Sequence, residues 1–198
     1  PAELIRALDA LPSSYLRYYY MTEAVLAEQR AGATRALEVM EIERDLLELY
    51  RDPNLDEKPP LLEQRGGAFY SEAAAQLIAS LYDGTGDIQV VDVRNDGAIA
   101  ELPDDAVVEV PARIDRDGAH PVRARSPAPE MLGLVQEMKA YERLAADAAL
   151  TGSRATALRA LLANPLVRQY PTAAPLLDAL LEANQANLPR FHHSESTS

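Results

Sequence analysis

Apolar positions recur with helical spacing through most of the chain and switch to strand spacing in one central stretch. In "GATRALEVMEIERDLLELY", residues 32–50, Val39, Ile42, Leu46 and Leu49 fall on one helical stripe. Met40, Leu47 and Tyr50 widen it, which predicts a helix buried on more than one side. A second helix is expected from Phe69 to Tyr82, with Ala74, Ile78 and Leu81 facing inward. Between the two, "RDPNLDEKPPLLEQRGG" carries three prolines and two glycines and reads as an ordered loop or linker.

The period shortens at "GDIQVVDVRNDGAIA". Ile88, Val90, Val91 and Val93, bounded by Gly86 and by Asn95–Gly97, predict a strand. "AVVEVPARIDRDGAHPVRAR" predicts a hairpin: Val107–Ile114, a "DRDG" turn, then His120–Ala124. Pro111 cannot donate to a ladder and so belongs at an edge or bulge. After "SPAPE" the helical period returns. Met131, Leu134, Val135, Met138, Tyr141, Ala145 and Ala148 mark one long amphipathic helix. Shorter helices follow near 153–163 and 172–187, the latter carrying Leu176, Leu177, Leu180 and Leu181. The expected class is α+β, mostly helical with a small antiparallel sheet. "HHSESTS", residues 192–198, reads as a polar, frayed tail.

Composition narrows the chemistry. With 198 residues, 47% of them apolar and 25% charged, the chain can build a core of its own. A net charge of −12 argues against nucleic acid and anionic membranes as partners. An anionic small molecule would need a few well-placed arginines. There are no cysteines, hence no disulfides and no thiolate metal ligands, a composition compatible with a cytoplasmic setting. No apolar run approaches the roughly 20 residues of a membrane span. The N-terminus lacks the basic and apolar regions of a signal peptide. It begins without Met inside a helical pattern, so the chain is expected to start in the middle of a protein.

Few motifs compete for a function. "DGTGD" at 83–87 contains Gly-x-Gly, but Gln89 stands where a dinucleotide fingerprint needs its third glycine, and the segment precedes a strand. It reads as a turn. His120, His192 and His193 come from a hairpin and a tail, a poor frame for converging on a metal. "YLRYYYMTE" is different, because it packs Tyr15, Tyr18, Tyr19 and Tyr20 around Arg17 in a chain with nine tyrosines. Helical spacing sets Tyr15 beside Tyr18 and Tyr19, with Arg17 and Tyr20 offset. Two readings stand. One is an aromatic seam with hydroxyls at the core's edge. The other makes one hydroxyl a base, which requires positive charge beside it, since a free phenol titrates near 10.

Five collinear stretches carry a resemblance: "YLRYYYMTE", "GATRALEVMEIERDLLELYRDPNLDEKP", "RGGAFYSEAA", "GDIQVVDVRNDGAIAELPDDAVVEVP" and "LLDALLEANQANLPRF". Together they resemble the NAD- and metal-dependent glycoside hydrolases of family 4, in the 6-phospho-β-glucosidase branch. The resemblance implies that residues 1–191 form the family's C-terminal domain, similar in fold to that of lactate and malate dehydrogenases. The N-terminal Rossmann half, with the NAD site and the main ligands of a divalent metal, Mn²⁺ above all, is expected to lie outside this chain.

The implied chemistry departs from the usual two-carboxylate scheme. NAD⁺ takes a hydride from C3 of a phosphorylated β-glucoside or disaccharide, a tyrosine removes the acidified C2 proton, and the aglycone is eliminated. Carried over, the base falls on Tyr15 and the contact to the sugar 6-phosphate on Arg35, the "TRA" arginine. A one-turn slip moves the base to Tyr18 or Tyr19. The isolated chain is expected to be inert, and the surface that faces the Rossmann half to promote homo-oligomers. The alternatives are a sibling acting on 6-phospho-α-glucosides or α-galactosides, and a non-catalytic oligomerisation module.

Overall fold

The computed structural model describes residues 1–32, 34–66 and 69–192. The chain divides into two compact units, one of residues 1–91 with 111–120, the other of 92–110 with the chain from 121 onward. In the first unit the helices are α1 (Ala2–Leu8), α2 (Arg17–Tyr20), α3 (Thr22–Ala31), α4 (Arg35–Leu49), α5 (Leu61–Arg65) and α6 (Tyr70–Asp83), with a 3₁₀ turn at Ser14–Leu16. Then come strands β1 (Asp87–Arg94), β2 (Val107–Asp115) and β3 (Gly118–Pro121). The second unit carries α7 (Pro129–Thr151), α8 (Arg154–Ala163) and α9 (Tyr170–Ala183). The α+β class, helical with one small antiparallel sheet, is as the periodicity predicts. The polar tail from His193 lies outside the described residues.

The strands form one sheet in the order β1-β2-β3. Along β2, Val108, Val110, Ala112 and Ile114 are buried and their neighbours are not, the alternation a pleated strand imposes. β2 is the central strand, yet it contains Pro111. Gly86 N–H donates to the Ile114 carbonyl, which turns even-numbered positions of β2 toward β1. Pro111 therefore presents its missing donor to the other side, where β3, only four residues long, has ended. The expectation that Pro111 puts its strand at an edge is thus corrected: the strand is central, and the proline is tolerated because β3 stops short of it.

Packing corrects several inward assignments. In α4 the buried stripe is Leu46 with half-buried Val39 and Ile42, whereas Leu37, Met40, Leu47, Leu49 and Tyr50 are exposed. In α6 the inner face is Leu77, Ser80 and Leu81, with Ala74 and Ile78 outside. In β1, Ile88 and Val90 face out and Val91 and Val93 in. Leu180 of α9 is also exposed. Periodicity finds an apolar face but does not say what covers it. The segment taken as a loop contains α5, opened by Pro60 and closed at Gly66, a Pro-to-Gly bracket typical of helices.

In the second unit, Ala98, Leu102, Val108 and Val110 form the core, packed by Val93, Ile99 and Val135. Helix α7 packs on α8, and α8 on α9. Gly152 closes α7 at φ 71°, where any Cβ would overlap the Arg190 carbonyl, so only glycine lets the 3₁₀ turn at Pro189–Phe191 dock there.

At the hairpin tip, Asp115 Oδ1 faces His120 Nε2 at 2.9 Å and accepts from Asp117 N–H at 3.0 Å, while Oδ2 accepts from Arg113. The His120 hydrogen bond first, then those of Asp117 and Arg113, hold the Asp115 carboxyl below the usual carboxylate range against the opposing effect of burial. Stability from this group is then present above an ordinary Asp value of about 3.9 and lost as pH falls through the lower folded value. A carboxyl-carbon NMR titration is expected to place the Asp115 midpoint below about 3.9, and Asp115→Asn to remove that acid limb from the unfolding curve. A midpoint at the ordinary value would contradict it.

Candidate active site

Tyr15 sits in the 3₁₀ turn that follows α1 and leads directly into α2. Ser13 caps that turn by accepting from Tyr15 N–H at 3.4 Å. The helical spacing expected for the four tyrosines is broken, because α2 is one turn long and Met21 separates it from α3. Thr22 Oγ1 donates back to the Tyr18 carbonyl at 2.7 Å and holds this corner. Tyr19 and Tyr20, expected on different faces, meet edge to face with ring centres 5.0 Å apart, and both are half-buried. Tyr15 is 78% exposed and Tyr18 38%. Among the described residues, the Tyr15 hydroxyl has no hydrogen-bond partner. The aromatic seam is thus real for Tyr19 and Tyr20, and Tyr15 stands outside it.

Arg17 does not serve the tyrosines. Its Nη2 reaches Glu28 Oε2 on α3 at 2.5 Å, and that carboxylate matches its charge. Any positive charge that helps Tyr15 act as a base must come from elsewhere.

Arg35 is the first residue of α4. Thr34 Oγ1 accepts from Leu37 N–H at 3.4 Å and fixes the helix start. One side of the guanidinium is anchored: Nη2 donates to the Gln64 carbonyl at 2.6 Å and the Arg65 carbonyl at 3.4 Å, and Nη1 to Glu38 at 3.3 Å. These carbonyls belong to α5, which the loop reading missed; the Pro60–Gly66 bracket was the available signal. The side chain remains 55% exposed. Glu38 offsets part of the guanidinium charge, but Nε and the second Nη1 hydrogen have no partner among the described residues, and the N-terminus of α4 adds positive potential that suits an anion. No hydrogen bond links Tyr15 and Arg35 among the described residues.

Cofactor sites were tested against the same residues. No group of three or more His, Asp or Glu side chains converges as a metal site among them. "DGTGD" forms the end of α6 and the entry to β1, the reverse of the strand-to-helix turn that cradles a pyrophosphate. The described residues fit neither a resident metal nor a dinucleotide. No described helix is long and apolar enough to cross a membrane.

Known proteins share the sequence and fold of this chain. Residues 1–167 match the model of the family 4 glycosyl hydrolase C-terminal domain. The chain is 46% identical over 194 residues to a probable 6-phospho-beta-glucosidase of Bacillus subtilis strain 168, covering 96% of this chain and 44% of that one. It is 31% identical to the phospho-alpha-glucosidase PagL of Clostridium acetobutylicum, covering 93% and 42%. Its fold superposes with a TM-score of 0.87 and 37% identity on the 6-phospho-beta glucosidase of Thermotoga maritima solved with manganese, NAD⁺ and glucose-6-phosphate, covering 95% of this chain and 45% of that one. The chain thus spans less than half the length of these relatives.

Proposed function

The chain belongs to the family 4 glycosyl hydrolases, matching their C-terminal domain, and on that premise we propose that residues 1–191 supply the proton-abstracting and phosphate-binding side of a 6-phospho-β-glucosidase. The observation that carries this is Arg35, anchored on one side by the Gln64 and Arg65 carbonyls, paired with Glu38, and still more than half exposed at the start of α4. Such a group suits a sugar 6-phosphate, because a guanidinium stays charged and offers paired donors. Identity of 46% to a β-glucosidase against 31% to an α-glucosidase favours the β branch.

In this reading Arg35 fixes the phosphorylated end of the glucoside and Tyr15 takes the C2 proton. NAD and a divalent metal, expected as Mn²⁺, supply the redox step and charge stabilisation, and both are held by residues outside those described. The partner is a dinucleotide-binding domain, and the setting is cytoplasmic. Alone, the 198-residue chain is inert. The experiment compares hydrolysis of chromogenic phosphorylated and plain β-glucosides, with NAD⁺ and Mn²⁺, by the chain alone and with the N-terminal domain of the Bacillus subtilis relative supplied. Turnover is expected only in the second case. Arg35→Ala there is expected to cut kcat/KM for the phosphorylated substrate by about 10–200-fold, as for loss of hydrogen bonds to a charged group, and to spare the plain one. An unchanged 6-phosphate preference would remove Arg35 from this role.

A further inference from the structure

Gly66 ends α5 differently from the glycines that end α6 and α7. Gly84 and Gly152 are left-handed, and their N–H groups return to the Ser80 and Ala148 carbonyls, capping each helix from within. Gly66 has φ 95° and ψ 172°, a conformation open to glycine and strained for any residue with a Cβ. Among the described residues its N–H makes no backbone bond back to α5. The last carbonyls of a helix lack internal acceptors' partners and must find donors elsewhere. Here Arg35 Nη2 supplies them, meeting the Gln64 carbonyl at 2.6 Å and the Arg65 carbonyl at 3.4 Å. Helix α5 packs on α4, which carries Arg35 as its first residue.

We propose that Gly66 is a positioning residue for Arg35 and, through it, for the 6-phosphate of the substrate, the latter link resting on the function proposed above. A left-handed cap at position 66 would return backbone N–H groups to the last turn of α5 and compete with the guanidinium for its carbonyls. The conformation that only glycine adopts at no cost leaves those oxygens open to a cation. Arg35 has a long, rotamer-rich side chain, and ordering such a side chain during binding weakens the complex. Carbonyls that hold one edge of the guanidinium in advance remove much of that loss. They also fix the direction in which its remaining donors point, which a planar group binding an anion by paired hydrogen bonds requires.

The test is Gly66→Ala. A Cβ at Gly66 meets nothing within 4 Å, so the change acts on backbone conformation and not by collision. Gly86→Ala is the control: its φ is 76°, the space around its Cβ is equally open, and it lies in the same unit at the entry to β1. The first readout needs no substrate. NMR of the 198-residue chain follows rotation of the Arg35 guanidinium, assigned by the signal that Arg35→Lys removes. Rotation is expected to be restrained in the native chain and in Gly86→Ala, and free in Gly66→Ala. The second readout is kinetic, with the N-terminal domain of the Bacillus subtilis relative supplied. Gly66→Ala is expected to raise KM for the phosphorylated β-glucoside about tenfold, the order of one lost hydrogen bond, with kcat and the plain β-glucoside little changed. In an Arg35→Ala background it is expected to add nothing, because both changes act on one contact. A guanidinium as restrained in Gly66→Ala as in the native chain overturns the positioning role. So does a free guanidinium with unchanged KM when Arg35→Ala alone impairs the phosphorylated substrate, or a matching loss in Gly86→Ala. A guanidinium freed by Gly66→Ala, with the 6-phosphate preference untouched by either variant, upholds the positioning of Arg35 and overturns its assignment to the phosphate.

Discussion

Tyr15→Phe, in an enzyme assembled from this chain and the N-terminal domain of the Bacillus subtilis relative, is expected to lower kcat for a 6-phospho-β-glucoside by about 10²–10⁴-fold, the range of a lost general base. KM should stay near its starting value, because the phosphate contact proposed for Arg35 is untouched and the phenyl ring is kept. The expectation rests on exposure and isolation: Tyr15 is the most accessible of the four clustered tyrosines, and its hydroxyl serves no hydrogen bond within the described residues. Removing that oxygen costs the fold almost nothing, so a large kinetic loss would report chemistry. Exchange of the C2 proton with D₂O gives the discriminating readout, since a base acting there loses exchange and turnover together. Tyr18→Phe is the comparison. If Tyr18→Phe or Tyr19→Phe takes the loss and Tyr15→Phe does not, the base lies one turn along.

How much of this was legible in the residues differs by level. The first two strands were readable because their β-branched runs and the "DRDG" turn agree with each other, but the third pairs over Gly118–Pro121, at once after the turn, and not over the expected His120–Ala124. The long helix was readable because its stripe from Met131 to Ala148 has one period throughout. The outer faces of α4 and α6 misled, since Met40, Leu47 and Ile78 look like core residues to any periodic count and their exposure depends on what lies beside them. For the site, "YLRYYY" and "TRA" gave the residue types and spacing. They could not show that Arg17 is claimed by Glu28, or that Arg35 is held by carbonyls of a helix 29 residues away. Such contacts come from tertiary packing, and the local sequence carries no trace of them.

One buried polar side chain organises a segment of the second unit's core. Asn95 is fully buried, and its amide donates to the carbonyls of Ile99, at 3.0 Å, Leu102, at 3.0 Å, and Pro103, at 3.1 Å. Its Oδ1 accepts from Ile99 N–H at 2.7 Å. These bonds coil residues 95–103 into a plug that inserts Ala98 and Leu102 into the core. The turn that starts it needs positive φ at Asp96 and Gly97, which "NDG" supplies cheaply. Asn95→Leu keeps the forked shape but strands the Ile99 N–H and the Leu102 carbonyl, each costing about 1–3 kcal/mol when buried unpaired. The chain is therefore expected to lose about 2–6 kcal/mol in urea unfolding, a large part of the stability of any domain this size. Asn95→Asp separates shape from hydrogen bonding, because it retains the acceptor for Ile99 but turns an oxygen on three carbonyl oxygens. It should be at least as damaging at neutral pH and partly recover in acid, where the protonated carboxyl can again donate. A loss below about 1 kcal/mol for both variants would mean that the plug is held by its apolar residues alone, at the cost of one ordinary hydrogen bond.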